Sequence, residues 1–162
     1  MIKLRPLVFA DIGTIRGWPP YPMGFECMDY ALRSKGWLAG YMTKPDTWCF
    51  AAEEASELVA FTILSKTGPL EAEFRIALRA DQIGQGFGRA IATQTLAKGF
   101  SEIGLFRIHF IVRKINPGAI RLYERLGFVG RGECSKNIDG KETLFLVMDI
   151  SNVSYQKQRL PE

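Results

Sequence analysis

The sequence predicts an α+β domain with one mixed, mostly antiparallel sheet of about six to seven strands, flanked by about four helices. Three observations support this fold class. Strand-like segments outnumber the helical ones and surround them in the order of elements. Residues 71–79 alternate between apolar and polar side chains, as expected for a strand with one buried face. The 162 residues, 47% of them hydrophobic, fit one domain well and two poorly.

The first third of the chain predicts one strand and two helices. Residues 1–5 alternate and form a short strand that ends at Pro6. A short helix is predicted through residues 9–17. Three prolines within residues 18–24 exclude regular structure there. A second helix is predicted from about residue 26 to residue 38, where apolar and charged side chains mix at helical spacing.

Two further strands precede the alternating segment. Residues 47–53 and 58–65 are rich in β-forming side chains, and residues 55–57 supply the turn between them. In the strand at residues 71–79, one face carries the apolar side chains Ala72, Phe74, Ile76 and Leu78.

The second half predicts helices between strands and a final hairpin. A helix from about Phe87 to Ile103 ends at Gly104, and a strand covers residues 107–113. Asn116 followed by Pro117 is typical of a helix start, and Gly127 ends that helix. Residues 129–135 and 143–150 form a hairpin around Asp139-Gly140. The predicted domain therefore covers residues 1–150, and the polar tail, residues 151–162, is expected to be loosely ordered.

Composition excludes several classes of protein. Charged residues and a proline interrupt the first twenty residues, so no signal peptide is predicted, and no apolar run is long enough to span a bilayer. The three cysteines have no C-x-x-C spacing and are read as reduced thiols. The only histidine, His109, lies in an apolar run and favours a structural role, so no metal site is expected. We predict a cytoplasmic protein without a membrane partner.

The net charge of +4 comes from the middle of the chain. Residues 81–131 hold eight basic side chains against three acidic ones, whereas basic and acidic residues are nearly balanced elsewhere. Such a local excess suits a small polyanion or a nucleic-acid backbone, although charge alone favours a solvated charged face.

A glycine-rich turn between a strand and a helix carries the clearest chemical signal. Gly84, Gly86 and Gly88 allow a close backbone approach to a ligand, and the following helix offers unpaired N–H groups and its positive dipole end. Arg89 in the first helical turn opposes helix stability, which a bound anion would explain. The turn lacks the Gly-Lys-Ser/Thr of a P-loop and the glycine spacing of a Rossmann fingerprint.

Two ordered motifs resemble those of the GNAT N-acetyltransferases. The family loop, Arg/Gln-x-x-Gly-x-Gly/Ala, is matched at Gly86 and Gly88, while Ile83 departs from the basic or amide residue usual at its position. The second motif, Asn-x-x-Ala-x-x-Leu-Tyr-Glu-x-x-Gly-Phe, is matched closely by residues 116–128. The resemblance covers about residues 71–150, with a weaker match at residues 3–6.

This resemblance implies an acetyl-CoA-dependent N-acetyltransferase with a GNAT fold. Backbone groups of Ile76 and Leu78 would pair with the pantetheine arm, the Leu78 N–H would face the thioester oxygen, and Asn116 would hydrogen-bond the pantetheine. The loop would hold the diphosphate through Ile83, Gly84, Gln85, Gly86, Phe87, Gly88 and Arg89.

The same resemblance assigns the proton transfers of a direct attack on the thioester. Tyr123 occupies the position of the family's general acid and would protonate the departing thiolate. Glu73 lies where some ribosomal-protein-type members carry a glutamate. Its roles as general base and as solvated carboxylate stay open, as does a water relay.

The acceptor is weakly specified by the sequence. Aromatic and acidic side chains among residues 18–41 suit a cationic amine, and the candidates are a protein N-terminus, an amino acid, a polyamine or an aminoglycoside. Two alternative functions remain: a CoA-binding module without catalysis, and an acetyltransferase acting on aminoacyl-tRNA. No basic run interleaved with aromatics is present, which disfavours nucleic acid as a partner. Assembly into a homodimer is left open.

Overall fold

A seven-stranded sheet forms the centre of the protein. The computed structural model describes residues 1–21, 37–138 and 140–159. The strands lie in the order β1-β2-β3-β4-β5-β7-β6, and every neighbouring pair is antiparallel except the parallel pair β4–β5. Their bounds are β1 Lys3–Pro6, β2 Thr47–Glu54, β3 Glu57–Gly68, β4 Glu71–Leu78, β5 Arg107–Arg113, β6 Val129–Ile138 and β7 Lys141–Ser151.

Five α-helices accompany the sheet in the described part of the chain. A π-helical turn, Lys98–Ile103, extends the third of them, and a 3₁₀ turn, Ala80–Gln82, follows β4. The helices are α1 Phe9–Arg16, α2 Trp37–Thr43, α3 Phe87–Ala97, α4 Pro117–Arg125 and α5 Asn152–Arg159.

The alternating side chains of the strands build a core on each face of the sheet. On one face, Phe74 and Ile108 pack with residues of α3 and α4, among them Leu96 and Tyr123. On the other face, Phe61 and Ile63 of β3 pack with Ile15 of α1 and Leu38 of α2. The strands in the middle of the sheet are thus covered on both sides.

The structure confirms the predicted α+β class and most predicted elements. The strand at residues 107–113 has the predicted bounds, and α3 with its π-helical turn covers the predicted helix from Phe87 to Ile103. The predicted helix at residues 26–38 lies largely outside the described residues, and α2 extends beyond it to Thr43.

The prediction of a loosely ordered tail is wrong for residues 152–159, which form α5. The Ser151 hydroxyl accepts a hydrogen bond from the Ser154 N–H at 3.2 Å and caps the helix start. Tyr155 is buried and packs on Phe100 with the ring centroids 4.9 Å apart. A single buried aromatic residue therefore anchors a segment that is otherwise polar enough to look unstructured.

Two predictions concerning thiols and membranes can be compared with the described residues. Cys49 and Cys134 are free and half-buried, and burial raises the pKa of the Cys49 thiol to about 11. Cys27 lies outside the described residues.

Among the helices that are described, none has both the length and the apolar character needed to cross a membrane.

Candidate active site

The parallel strands β4 and β5 separate in the middle of the sheet. They are paired only from Glu71 with Arg107 to Glu73 with His109. Beyond this point β4 remains paired with β3 on its other side, and β5 remains paired with β7 as far as Arg113. We call the opening between them the β4–β5 gap. Two strand edges face each other across it, and an extended ligand could pair with them.

Backbone groups of the two residues predicted to bind pantetheine face the gap. The Arg79 N–H donates to the Val59 carbonyl of β3 at 2.7 Å. Since successive residues in a strand direct their backbone groups to opposite edges, Ala77 also faces β3, whereas Ile76 and Leu78 face the gap. The predicted pairing edge is therefore present, although no ligand contact tests it.

Tyr21, one of the aromatic residues in the predicted acceptor region, reaches the same edge, a contact that the sequence did not predict. Its hydroxyl donates a hydrogen bond to the Leu78 carbonyl, and its ring is buried. The Tyr21 side chain thus supplies the Leu78 carbonyl with a hydrogen bond, at a point where β5 no longer pairs with β4. The Tyr21 position lies in the proline-rich stretch, where no periodicity marks a contact to a distant strand.

The glycine-rich turn connects the end of β4 to α3 and opens outward. Gly84 and Gly86 have φ angles of 83° and 82°, and Gly86 is the N-cap of α3. A Cβ built at either position would meet no atom within 4 Å. Their backbone therefore borders open space, as a cradle for an anion requires.

Other loop positions contribute differently. A Cβ at Gly88 would lie 3.5 Å from the Leu122 side chain, so Gly88 packs the first turn of α3 closely on α4. Phe87 packs in the cluster around Ile91. Ile83 is half-buried, and the side chains of Gln85 and Arg89 are exposed.

Arg79 attaches the start of this loop to the sheet and was also missed by sequence reasoning. Its guanidinium donates to the Asp81 carboxylate at 2.6 Å and to the Glu57 carboxylate at 3.3 Å. A cavity of about 620 Å³ lies beside this ion-pair group. Charged side chains and one aromatic ring are among its lining residues, which are Thr14, Gly17, Trp18, Pro19, Ser56, Glu57, Leu58, Arg79 and Asp81.

Asn116 caps α4, as its pairing with Pro117 predicted. Its Oδ1 accepts a hydrogen bond from the Ala119 N–H at 3.2 Å. The cap uses the oxygen of the side-chain amide and leaves the two N–H donors of Nδ2 for a ligand. Capping and the predicted contact to pantetheine are thus compatible.

Tyr123 lies directly beneath the point where β4 and β5 separate. Its ring centroid is 6.2 Å from that of Phe74 on β4 and 4.4 Å from that of Phe110 on β5. Phe128 completes the aromatic cluster at 5.6 Å. Burial raises the pKa of the Tyr123 phenol well above its usual range, which keeps it protonated at neutral pH.

Glu73 lies at the same point on the opposite face of the sheet. Its carboxylate accepts a hydrogen bond from Arg75 Nε at 2.9 Å. The Arg75 guanidinium also lies 5.5 Å from the centre of the Tyr41 ring on α2. The predicted acid and the predicted base are therefore brought to one place, on the two sides of the gap.

The described residues were also compared with the requirements of a metal site. Within residues 1–21, 37–138 and 140–159, there is no group of three or more His, Cys, Asp or Glu side chains that could hold a metal ion.

Comparisons with known proteins place this geometry in a family. A spermidine N(1)-acetyltransferase from Vibrio cholerae is 38% identical over 61 residues, which are 38% of this chain and 35% of that protein. The Escherichia coli K12 spermidine N(1)-acetyltransferase is 36% identical over 62 residues, 38% of this chain and 33% of that protein. The chain thus matches about a third of the length of these curated relatives.

Solved structures share the whole fold. A chimeric spermidine N-acetyltransferase from Vibrio cholerae has a TM-score of 0.82 at 24% identity, covering 96% of this chain and 98% of that one. A spermidine N-acetyltransferase from the same organism, in complex with CoA and spermine, has a TM-score of 0.76 at 24% identity, with the same coverage of both chains.

The family assignment rests on a sequence match that covers more than half of the chain. A model of the acetyltransferase (GNAT) family matches residues 12–128, which include the β4–β5 gap, the glycine-rich turn and Tyr123. The protein therefore belongs to the acetyltransferase (GNAT) family.

Proposed function

We propose that the protein transfers an acetyl group from acetyl-CoA to a primary amine of a polyamine. One observation carries this proposal: the edge of β4 that no described strand pairs with beyond Glu73 runs directly into an open, glycine-rich turn at the start of a helix. An acyl carrier with a diphosphate and an amide-containing arm matches both parts. Family membership and the names of the relatives support the same reading.

Acetyl-CoA binding is proposed to use backbone groups for the most part. The N–H groups near Gly84, Gly86 and Gly88 would hold the diphosphate, with Arg89 adding charge. The pantetheine amides would pair with Ile76 and Leu78, and Asn116 Nδ2 would donate to the arm. Ile83 replaces the basic or amide residue usual in the family, so one side-chain contact to the diphosphate would be missing. Most donors in the loop are main-chain N–H groups and do not depend on that side chain. Gln85 and Phe87 would contribute their backbone to the same loop.

The proposed reaction is a direct attack of the amine on the thioester carbon. The acceptor ammonium first loses a proton, because only the neutral amine is nucleophilic. The nitrogen then bonds to the carbonyl carbon, and the N–H of Leu78 stabilises the oxyanion. When the C–S bond breaks, the thiolate takes a proton from Tyr123, which recovers one from the amide nitrogen through water. One proton is released to solvent in each turnover.

Tyr123 is proposed as the general acid, and Glu73 is the predicted base. The phenol of Tyr123 is protonated and lies below the gap, while Glu73 lies above it. Separate faces allow the amine to approach from one side and the sulfur to be protonated from the other. Glu73 would act directly or through a water relay.

A polyamine is proposed as the acceptor because carboxylates lie on the same face of the sheet as Glu73. The cavity beside the end of β4 carries the carboxylates of Glu57 and Asp81, and Glu73 lies near the gap. Carboxylates that share a cavity with the Trp18 ring suit a chain with several ammonium groups. The relatives named as spermidine acetyltransferases point to the same acceptor class.

An amine panel tests the proposed function. With acetyl-CoA, we expect thiol release to be fastest with spermidine or spermine, and slower with amino acids, aminoglycosides and N-terminal peptides. Aminoacyl-tRNA serves as the comparison for a nucleic-acid substrate. Binding of CoA without turnover of any acceptor would favour a non-catalytic module and contradict the proposal.

Substitution of the proposed acid separates chemistry from binding. We expect Tyr123→Phe to lower kcat by roughly 10² to 10⁴-fold, since general acid catalysis contributes about that much. Affinity for acetyl-CoA should be nearly unchanged, because the ring remains in its aromatic cluster. Tyr155→Phe, at a buried tyrosine on α5, is the control. Steady-state kinetics and calorimetry measure both effects, and an unchanged kcat would remove Tyr123 from the mechanism.

A glycine substitution tests the loop. Gly86→Ala places a side chain at a left-handed φ, which costs about 1–2 kcal/mol, in front of the proposed diphosphate site. We expect CoA affinity to fall at least tenfold. Gly140→Ala is a matched control, because its φ of 83° is nearly the same and its Cβ also meets no atom within 4 Å. Equal CoA affinity in the two variants would argue against the loop as the binding site.

A further inference from the structure

His109, the only histidine of the chain, lies at the closed end of the β4–β5 gap. It pairs in register with Glu73, and this is the last pair before the strands separate. Its neighbours in β5, Ile108 and Phe110, are buried in the core that contains Tyr123. Because side chains alternate along a strand, His109 lies on the opposite face, together with Glu73. The imidazole therefore lies beside the proposed base, at the closed end of the gap.

One hydrogen bond orients the ring. His109 Nε2 lies 2.7 Å from Thr67 Oγ1 of β3. If Nε2–H donates to the hydroxyl oxygen, the lone pair of Nδ1 is free to accept a proton. The second ring nitrogen is then the basic one, and Thr67 holds it in place.

Burial and one neighbouring cation favour the neutral form of His109, whereas three carboxylates favour its protonated form. Burial and the neighbouring Arg107 lower the pKa of His109, and the carboxylates of Glu73, Glu71 and Asp149 act in the opposite direction. All three carboxylates are shared with cations: Asp149 contacts Arg107 and Arg131, Glu71 contacts Arg107, and Glu73 contacts Arg75. Among the described residues, the charged groups that act on the ring are Arg107, Glu71, Glu73 and Asp149. At neutral pH the imidazole is therefore in its proton-accepting form.

Glu73 is less well suited to act alone. Its carboxylate accepts a hydrogen bond from Arg75 Nε at 2.9 Å, so one of its oxygens is already engaged. The same negative charge beside an imidazolium is favourable. Glu73 is therefore better placed to stabilise a protonated His109 than to take the proton itself.

We propose that His109 and Glu73 form one catalytic base, in which His109 Nδ1 takes the proton of the acceptor ammonium, through a water where needed, and Glu73 stabilises the imidazolium. The assignment rests on the proposed acetyl transfer and names its proton acceptor. The proton moves from the amine nitrogen to the ring and then to solvent. No other bond changes in this step, and the neutral amine proceeds to the attack described above.

Rate profiles against pH distinguish the two members of the pair. With saturating acetyl-CoA, kcat/KM for the amine should fall as pH drops below about 6.5, because protonated His109 cannot accept a proton. This limb lies far from the titration of the amine near pH 10. His109→Gln should lower kcat/KM roughly 10²-fold and abolish the limb. Glu73→Gln should keep the limb but move it to lower pH, because the charge that favours the imidazolium is gone. The double variant should be little worse than His109→Gln.

The opposite pattern would overturn the proposal. If Glu73 alone is the base, the limb disappears in Glu73→Gln and persists in His109→Gln. Unchanged acetyl-CoA affinity in both variants shows that they fold. Failure of the proposed function itself is seen separately, as absence of turnover by the unmodified protein with every amine.

A spectroscopic titration needs no change to His109. The single histidine gives one imidazole Hε1 resonance in the proton NMR spectrum, whose pH dependence reports its pKa. The resonance should titrate below pH 6.5 in the unmodified protein and at a still lower pH in Glu73→Gln. Equal midpoints in the two proteins would show that Glu73 does not act on the ring and would overturn the pairing.

Discussion

The interruption of the parallel ladder between β4 and β5 is the feature on which the rest of the site depends. Past Glu73 and His109, each strand keeps its outer partner and loses its inner one. Backbone donors and acceptors rarely stay unpaired in a folded protein unless water, a side chain or a ligand satisfies them. The backbone groups of Ile76 and Leu78 on this edge therefore need hydrogen-bond partners. The Tyr21 hydroxyl supplies one of them, at the Leu78 carbonyl.

Packing on both faces holds the gap open. Beneath it, the rings of Phe74, Phe110 and Tyr123 fill the space where the strands diverge. Above it, Glu73 and His109 remain at the surface of the sheet, where charge is tolerated. At its wide end, the ion pairs of Arg79 attach the glycine-rich turn to the sheet. One ligand with an anionic end and an amide-rich arm can therefore contact every part of the site, with chemistry at its far end.

Local signals in the sequence predicted much of the fold and part of the site. Asn116 before Pro117 predicted a helix start, alternation predicted β4, and closely spaced glycines predicted an open turn, because each depends on neighbouring residues. Local signals could not predict the gap, since it depends on which strands pair and where they stop; only the family resemblance implied a free edge at Ile76 and Leu78. The apolar flanks of His109 predict a structural role, and these flanks are core residues on the other face of the same strand. Tyr155 was missed because one aromatic residue anchors a polar helix.

Residue-resolved amide hydrogen exchange tests the central claim most directly. In the free protein, the N–H groups of Ile76 and Leu78 should exchange rapidly, whereas that of Ala77, directed at β3, should be protected. Saturation with CoA should slow exchange at Ile76 and Leu78 and leave Ala77 unchanged. Exchange at Ile76 and Leu78 that is already slow without ligand, or is unaffected by CoA, would contradict the proposed pairing of the acyl carrier with the free edge of β4.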